Sequence, residues 1–83
     1  MTIKMYSTTW CPDCIRSKRT LDKHGVQYEE INIEKDPSAV ALVKKINRGS
    51  RSVPTIVFPD NSTLTEPNSN ELVEKLRELG LVG

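Results

Sequence analysis

Both cysteines of this 83-residue chain fall in one stretch, Trp10-Cys11-Pro12-Asp13-Cys14, directly behind the strand-like run Ile3-Lys4-Met5-Tyr6. Pro12 has no backbone N–H and holds φ near the helical value, so it suits the first turn of a helix. The chain is therefore expected to leave a strand, turn at Ser7-Thr8-Thr9 and enter a helix at the cysteines. Two thiols three positions apart then face each other across one helical turn. At such a helix start the first thiol meets unpaired N–H groups and the positive end of the helix dipole, which favour thiolate over thiol.

The remaining periodicities place this unit in a larger pattern. From Pro12 to His24, the residues Cys14, Lys18 and Leu21 share a face, with Ile15 beside it, and Gly25 is the stop. Val26 to Ile33 reads as a second strand. Its apolar residues switch parity, Val26 and Tyr28 against Ile31 and Ile33, so a bulge or sharp twist is expected near Glu29-Glu30. Asp36-Pro37 opens a second helix, striped by Ala39, Leu42, Val43 and Ile46 and closed by Asn47-Arg48-Gly49.

Val53-Pro54 leads into the apolar run Thr55-Ile56-Val57-Phe58, and Pro59-Asp60-Asn61-Ser62 turns it back into Thr63-Leu64-Thr65 as a hairpin. Asn68 with Glu71 forms a capping box before a last helix carrying Leu72, Val73, Leu76 and Leu79, which Gly80 ends. The order β-α-β-α-β-β-α implies an α/β fold. A right-handed parallel βαβ unit is extended by an antiparallel hairpin into one four-stranded mixed sheet flanked by three helices. One domain over residues 1–83 is expected.

Twelve basic and eleven acidic residues leave a net charge of +1, so bulk charge suggests no nucleic-acid partner. Eight of the twelve cations lie in two clusters, Arg16, Lys18, Arg19 and Lys23, and Lys44, Lys45, Arg48 and Arg51. These are either solvated helix faces or a positive rim around the thiols that stabilises thiolate and attracts anions. No apolar run approaches the roughly 18 residues that span a bilayer, so no membrane partner is expected. The first residues lack the pattern of a secretory signal, and the expected location is cytoplasmic.

Three chemistries compete for the cysteine pair. A structural disulfide closing so small a loop constrains the unfolded chain by only about 2 kcal/mol, and in the cytoplasm it tends to be reduced. A mononuclear zinc site wants four ligands, whereas this chain offers two cysteines and one histidine, His24. Thiol–disulfide exchange needs an activated first thiol and a second thiol within reach. Cys11 at the helix start is expected to be the exposed nucleophile and Cys14, one turn in, the shielded resolving thiol. Pro12, Asp13 and Arg16 are the candidates for tuning ionisation. Arg16 and Lys18 favour the thiolate, while the Asp13 carboxylate opposes it. Cys-x-x-Cys inside a βαβ pattern points to exchange.

At Cys11-Pro12-Asp13-Cys14, Lys18 and Ser52-Val53-Pro54-Thr55 the chain resembles the glutaredoxin branch of the thioredoxin superfamily, over nearly its whole length. The resemblance implies a glutaredoxin-like thioredoxin fold. In that superfamily the proline corresponding to Pro54 is cis and lies beside the redox pair. The backbone of the residue before it, here Val53, pairs with the bound thiol. Glutathione-binding members usually carry a Gly-Gly-x-Asp-Asp turn before the last helix, and this chain has Leu64-Thr65-Glu66-Pro67-Asn68-Ser69 instead. The stretch from Asn47 to Thr55, then Asp60, Ser62-Thr63-Leu64-Thr65 and Pro67, together with Trp10, looks like the mycoredoxins, which use mycothiol in actinobacteria. Asp13 stands where the family commonly has Tyr. The Trp-Ser-Gly-Phe-Arg-Pro stretch of the ribonucleotide reductase electron donors is absent.

What the resemblance implies is reduction of mixed disulfides between proteins and a low-molecular-weight thiol, mycothiol ahead of glutathione. Cys11 would attack, and Cys14 or a second thiol would resolve. Lys18 and Arg51 are candidate contacts to the bound thiol, Thr65 and Glu66 to its far end, and Thr8 and Trp10 would wall the site. No tightly bound cofactor and no metal are implied, and the thiol is a co-substrate. Protein mixed disulfides and an upstream NADPH-dependent disulfide reductase are the expected partners of a monomer. Two further readings stay open. One is a glutathione-dependent glutaredoxin or a dithiol electron donor reduced by thioredoxin reductase. The other is an iron–sulfur cluster carrier.

Overall fold

β1 (Ile3–Ser7) runs through the middle of a four-stranded sheet, with all of its residues but Lys4 buried. A computed structural model describes residues 2–82. The further elements are α1 (Pro12–Lys23), β2 (Tyr28–Asn32), a 3-10 turn (Ile33–Lys35), α2 (Pro37–Ile46), β3 (Thr55–Val57), β4 (Thr63–Thr65) and α3 (Ser69–Glu78). Strand order is β2-β1-β3-β4, with β1 parallel to β2 and β3 antiparallel to both β1 and β4. This is the four-stranded mixed sheet and three-helix arrangement that the sequence pattern implied, and the thioredoxin fold that the resemblance implied.

Alternation along β1 divides the core. Ile3 and Met5 face α1 and α3, where they pack with Leu21, Ile56, Phe58, Leu72 and Leu76. Tyr6 points the other way, to Ile33 and to Ala39 and Val43 of α2. Burying one large apolar side chain contributes about 1.5–3 kcal/mol, so the seven-residue α1/α3 side is the heavier half of the core.

The expected bulge near Glu29-Glu30 is absent. β1 and β2 pair without interruption from Ile3↔Tyr28 to Ser7↔Asn32. The parity switch has a simpler origin. Tyr28 packs on the α1/α3 side and Ile31 on the α2 side of a sheet covered on both faces, while Ile33 has already left the strand for the 3-10 turn.

Two stripe residues are corrected as well. Ile15 and Leu42 are exposed, because α1 buries Cys14, Ser17, Thr20 and Leu21, and α2 buries only Ala39 and Val43. The helix ends follow the sequence signals. Asp36 caps α2 through the Ser38 and Ala39 N–H groups, and Asn68 and Glu71 form a reciprocal box on α3. Gly25 takes φ +66 beyond α1, where its N–H and that of Val26 return to the Asp22 and Leu21 carbonyls.

Candidate active site

Three segments converge on Cys11: the end of the β1–α1 loop, the first turn of α1 and the approach to β3. Cys11 is the N-cap of α1, in extended backbone, and its Sγ accepts the Cys14 N–H at 3.1 Å. A sulfur therefore does what a cap oxygen usually does for an orphan helix donor. On its other side the Cys11 thiol donates to the Val53 carbonyl at 3.7 Å, and the Val53-Pro54 peptide is cis.

Cys11 was expected to be exposed, and it is not: 5% of its surface reaches solvent, against 1% for Cys14. The capping bond draws its sulfur back over the helix, and Val53 closes the opposite side. Cys14 sits deeper. Burial pushes its thiol up to about 12, aided by the hydrogen bond with Cys11 and by the charges of Cys11 and Glu30, while a hydrogen bond from the Thr8 backbone works against this.

Two of the four cations of α1, Arg16 and Lys18, are held by carboxylates. Arg16 Nη2 lies 2.8 Å from Asp13 Oδ1, and Lys18 Nζ lies 3.1 Å from Glu30 Oε1. Each is neutralised by a carboxylate within reach of its long side chain. The tuning trio therefore splits: Pro12 occupies the first helical position, and Asp13 pairs with Arg16 one turn on.

Two cavities flank the thiols. One, of about 310 Å³, lies beside Cys11 and brings together Thr8, Trp10, Glu34, Arg51 and Val53. Trp10 is 69% exposed and its Nε1 donates to Glu34 Oε2 at 3.3 Å. The other, of about 280 Å³, lies on the Cys14 side and holds Lys18 with Ser7, Thr8, Glu30 and Asn32. Lys18 and Arg51 are thus on different sides of the redox pair.

Thr65 and Glu66 line neither cavity, but they brace the Pro54 segment. The Glu66 N–H donates to the Pro54 carbonyl at 2.8 Å, with Glu66 at φ +50. The Thr65 hydroxyl donates to Asn47 Oδ1 at 2.6 Å, and Asn47 Nδ2 donates to Thr55 Oγ1 at 2.9 Å and to the Val43 carbonyl at 3.0 Å. Thr55 Oγ1 in turn donates to the Ser52 carbonyl at 2.8 Å.

Sequence reasoning missed Asn47, Glu34 and Glu30 as members of this neighbourhood. For Glu30 a signal existed, since it shares strand parity with Tyr28 and so must face α1. Among the described residues no three His, Cys, Asp or Glu side chains converge as a metal-ligand group, and no helix is long and apolar enough to cross a membrane.

Comparison with known proteins agrees with this geometry. The glutaredoxin family profile matches residues 3–62. A glutaredoxin-type protein of Mycobacterium tuberculosis is 40% identical over 74 residues, covering 89% of this chain and 88% of its own. Mycoredoxin 1 of Corynebacterium glutamicum is 35% identical over 77 residues, covering 93% and 95%. Among solved structures, a glutaredoxin of Archaeoglobus fulgidus shares 32% identity with a TM-score of 0.73, over 90% of this chain and 85% of that one. The glutaredoxin-like NrdH-redoxin of Escherichia coli superposes with a TM-score of 0.76 at 23% identity, over 89% and 93%, which is likeness of fold. With a cysteine pair at the head of α1 beside a cis-proline, the chain belongs to the glutaredoxin family and is a thiol–disulfide oxidoreductase of its mycoredoxin-like kind.

Proposed function

We propose that this protein reduces mixed disulfides between proteins and a low-molecular-weight thiol, and that the thiol is mycothiol. The observation that carries the reading is Cys11 Sγ, held between the Cys14 N–H at 3.1 Å and the Val53 carbonyl at 3.7 Å. An N–H aimed at the sulfur stabilises a thiolate, and an extended backbone edge alongside it can align a thiol-bearing chain.

Cys11 thiolate attacks the small-thiol sulfur of the mixed disulfide. The bond to the client protein breaks and the client leaves as its thiolate. Cys11 is then joined to the small thiol. Either a second such thiol attacks the small-thiol sulfur, forming the small-molecule disulfide and freeing Cys11 as thiolate, or Cys14 attacks Cys11 Sγ, forming the Cys11–Cys14 disulfide as the small thiol leaves. Trp10, Arg51 and Val53 are assigned to the bound thiol because they border one cavity beside Cys11. Lys18 is assigned to the Cys14 side, where it lies with Glu30, and Thr65 and Glu66 to holding the Pro54 segment. Pro12, Asp13 and Arg16 are assigned to the surroundings of Cys11 in the first turn, Pro12 at the first helical position and Asp13 paired with Arg16. An NADPH-dependent disulfide reductase regenerates the thiol in the cytoplasm, and the protein acts as a monomer.

Two facts favour mycothiol over glutathione: the likeness to mycoredoxin 1 and the absence of the Gly-Gly-x-Asp-Asp turn. The test offers mycothiol, glutathione and thioredoxin reductase side by side, each with its own NADPH-linked recycling. NADPH consumption is expected with mycothiol. Equal consumption with glutathione overturns the thiol assignment, and consumption with thioredoxin reductase alone makes the protein a dithiol electron donor.

A further inference from the structure

Glu30 occupies the position in β2 opposite Met5, so its side chain is directed to the α1 face, towards the buried Cys14. Its two carboxylate oxygens are held separately. The Ser7 hydroxyl donates to Oε2 at 2.9 Å, and Lys18 Nζ lies 3.1 Å from Oε1. Both partners are donors, so both oxygens act here as acceptors. Each oxygen keeps a lone pair free.

Cys14 and Glu30 border the same cavity of about 280 Å³, and Glu30 is the one carboxylate among the described residues that line it. The cavity is polar and far larger than the ~30 Å³ share of one water, so solvent can bridge the two groups. Lys18 is a cation and Asp13 does not line this cavity, so neither serves as the acceptor.

We propose that Glu30 accepts the Cys14 proton, across the cavity that both line, when Cys14 resolves the mixed disulfide at Cys11. This rests on the reading of Cys14 as a resolving thiol. The proton leaves Cys14 Sγ for the Glu30 carboxylate, and the Cys14 thiolate attacks Cys11 Sγ. The Cys11–Cys14 disulfide forms as the bond from Cys11 to the small thiol breaks. The pair of cysteines is oxidised by two electrons, the small thiol is reduced, and its leaving thiolate takes up the proton from Glu30. A base is needed because burial holds the Cys14 thiol above its ordinary value, so little of it is ionised at pH 7. The Cys11 contributions vanish once Cys11 is in a disulfide, but burial and the Glu30 charge persist.

The test uses Ellman's reagent, an aromatic disulfide, in stopped flow. Cys11 releases one thionitrobenzoate on attack, and Cys14 releases a second on resolution. Wild type should show both phases and Cys14→Ser only the first. Glu30→Gln should slow the second phase about tenfold at pH 7 while leaving the first unchanged, and Glu30→Asp should restore part of it. The deficit should shrink towards pH 9 as hydroxide replaces the missing base. The charged or titratable groups facing Glu30 are Lys18 and Cys14 from α1 and Tyr28 from its own strand, and a Tyr28→Phe control separates the tyrosine's titration.

A role through charge alone has the opposite sign. Removing the carboxylate eases ionisation of Cys14 and speeds the second phase, so a faster or unchanged phase overturns the proposal. A slowing that is the same at every pH marks a structural effect and overturns it too. A wild type with no second phase removes both this proposal and the resolving role of Cys14, whereas equal second phases in wild type and Glu30→Gln remove this proposal alone.

Discussion

Cys14 donates its backbone N–H to Cys11 Sγ at 3.1 Å, so the turn that buries the second thiol is capped by the first. The two cysteines are therefore unequal before any substrate arrives. One sulfur receives a helix donor and lies against the Val53 carbonyl, and the other is enclosed behind it.

That inequality predicts different outcomes for the two serine variants. In a reductase-coupled assay, Cys11→Ser should show no turnover. Cys14→Ser should stay within about tenfold of wild type, because a second small thiol can resolve the intermediate in its place. Activity surviving in Cys11→Ser would remove the mechanism.

Asp13→Asn should raise the reactivity of Cys11 a few-fold, read as the rate of iodoacetamide alkylation at pH 6. The substitution removes a carboxylate next to the thiol and releases Arg16 from its 2.8 Å pair. Both side chains are about half exposed, at 56% and 45%, so the pair itself should be worth less than ~1 kcal/mol to stability. An equal or slower alkylation rate would sink the idea.

Asn47→Ala should loosen the Pro54 segment from a distance. The side chain joins the end of α2 to Thr55 and to Thr65, through bonds of 2.9 and 2.6 Å, besides its bond to Val43. At roughly 0.5–1.5 kcal/mol each, their loss should cost about 2 kcal/mol, measurable as a lower urea midpoint. The apparent KM for the mixed disulfide should rise more than kcat falls. A variant with unchanged midpoint and KM would show that the braces carry no weight.

Cys14 should make stability fall in alkali. Its folded thiol is raised from 9.0 to about 12, so the folded state holds this proton more tightly than the unfolded chain. The contribution is complete below pH 9 and is lost as pH rises through 9 towards 12. Tyr28, raised from 10.0 to about 12 mainly by burial, adds a parallel loss above pH 10. Melting temperature from pH 8 to 11 should therefore drop less steeply in Cys14→Ala than in wild type, with Tyr28→Phe as the control. Parallel curves would contradict it.

Much of the fold was legible because local chemistry and tertiary packing agree. Pro12, Asp36-Pro37, Asn68 with Glu71, and Gly25 punctuate the helices where their caps and stops occur, since such signals act within one turn. The β2 parity switch has no bulge behind it because the sheet is covered on both faces, and β2 packs Tyr28 on one side and Ile31 on the other. Ile15 and Leu42 were misread because an apolar stripe is wider than the surface available to cover it.

At the candidate site, the sequence by itself determined the cysteine pair, its place at a helix start and the proline edge before β3, all of which follow from short-range spacing. Only the tertiary structure decided that Cys11 is nearly covered, that Lys18 answers to Glu30 and not to Arg51's side, and that Asn47 braces Thr55 and Thr65. Those relations join residues far apart in the chain. Spacing along a strand or helix tells which way a side chain points, but what it meets there depends on sheet order and register.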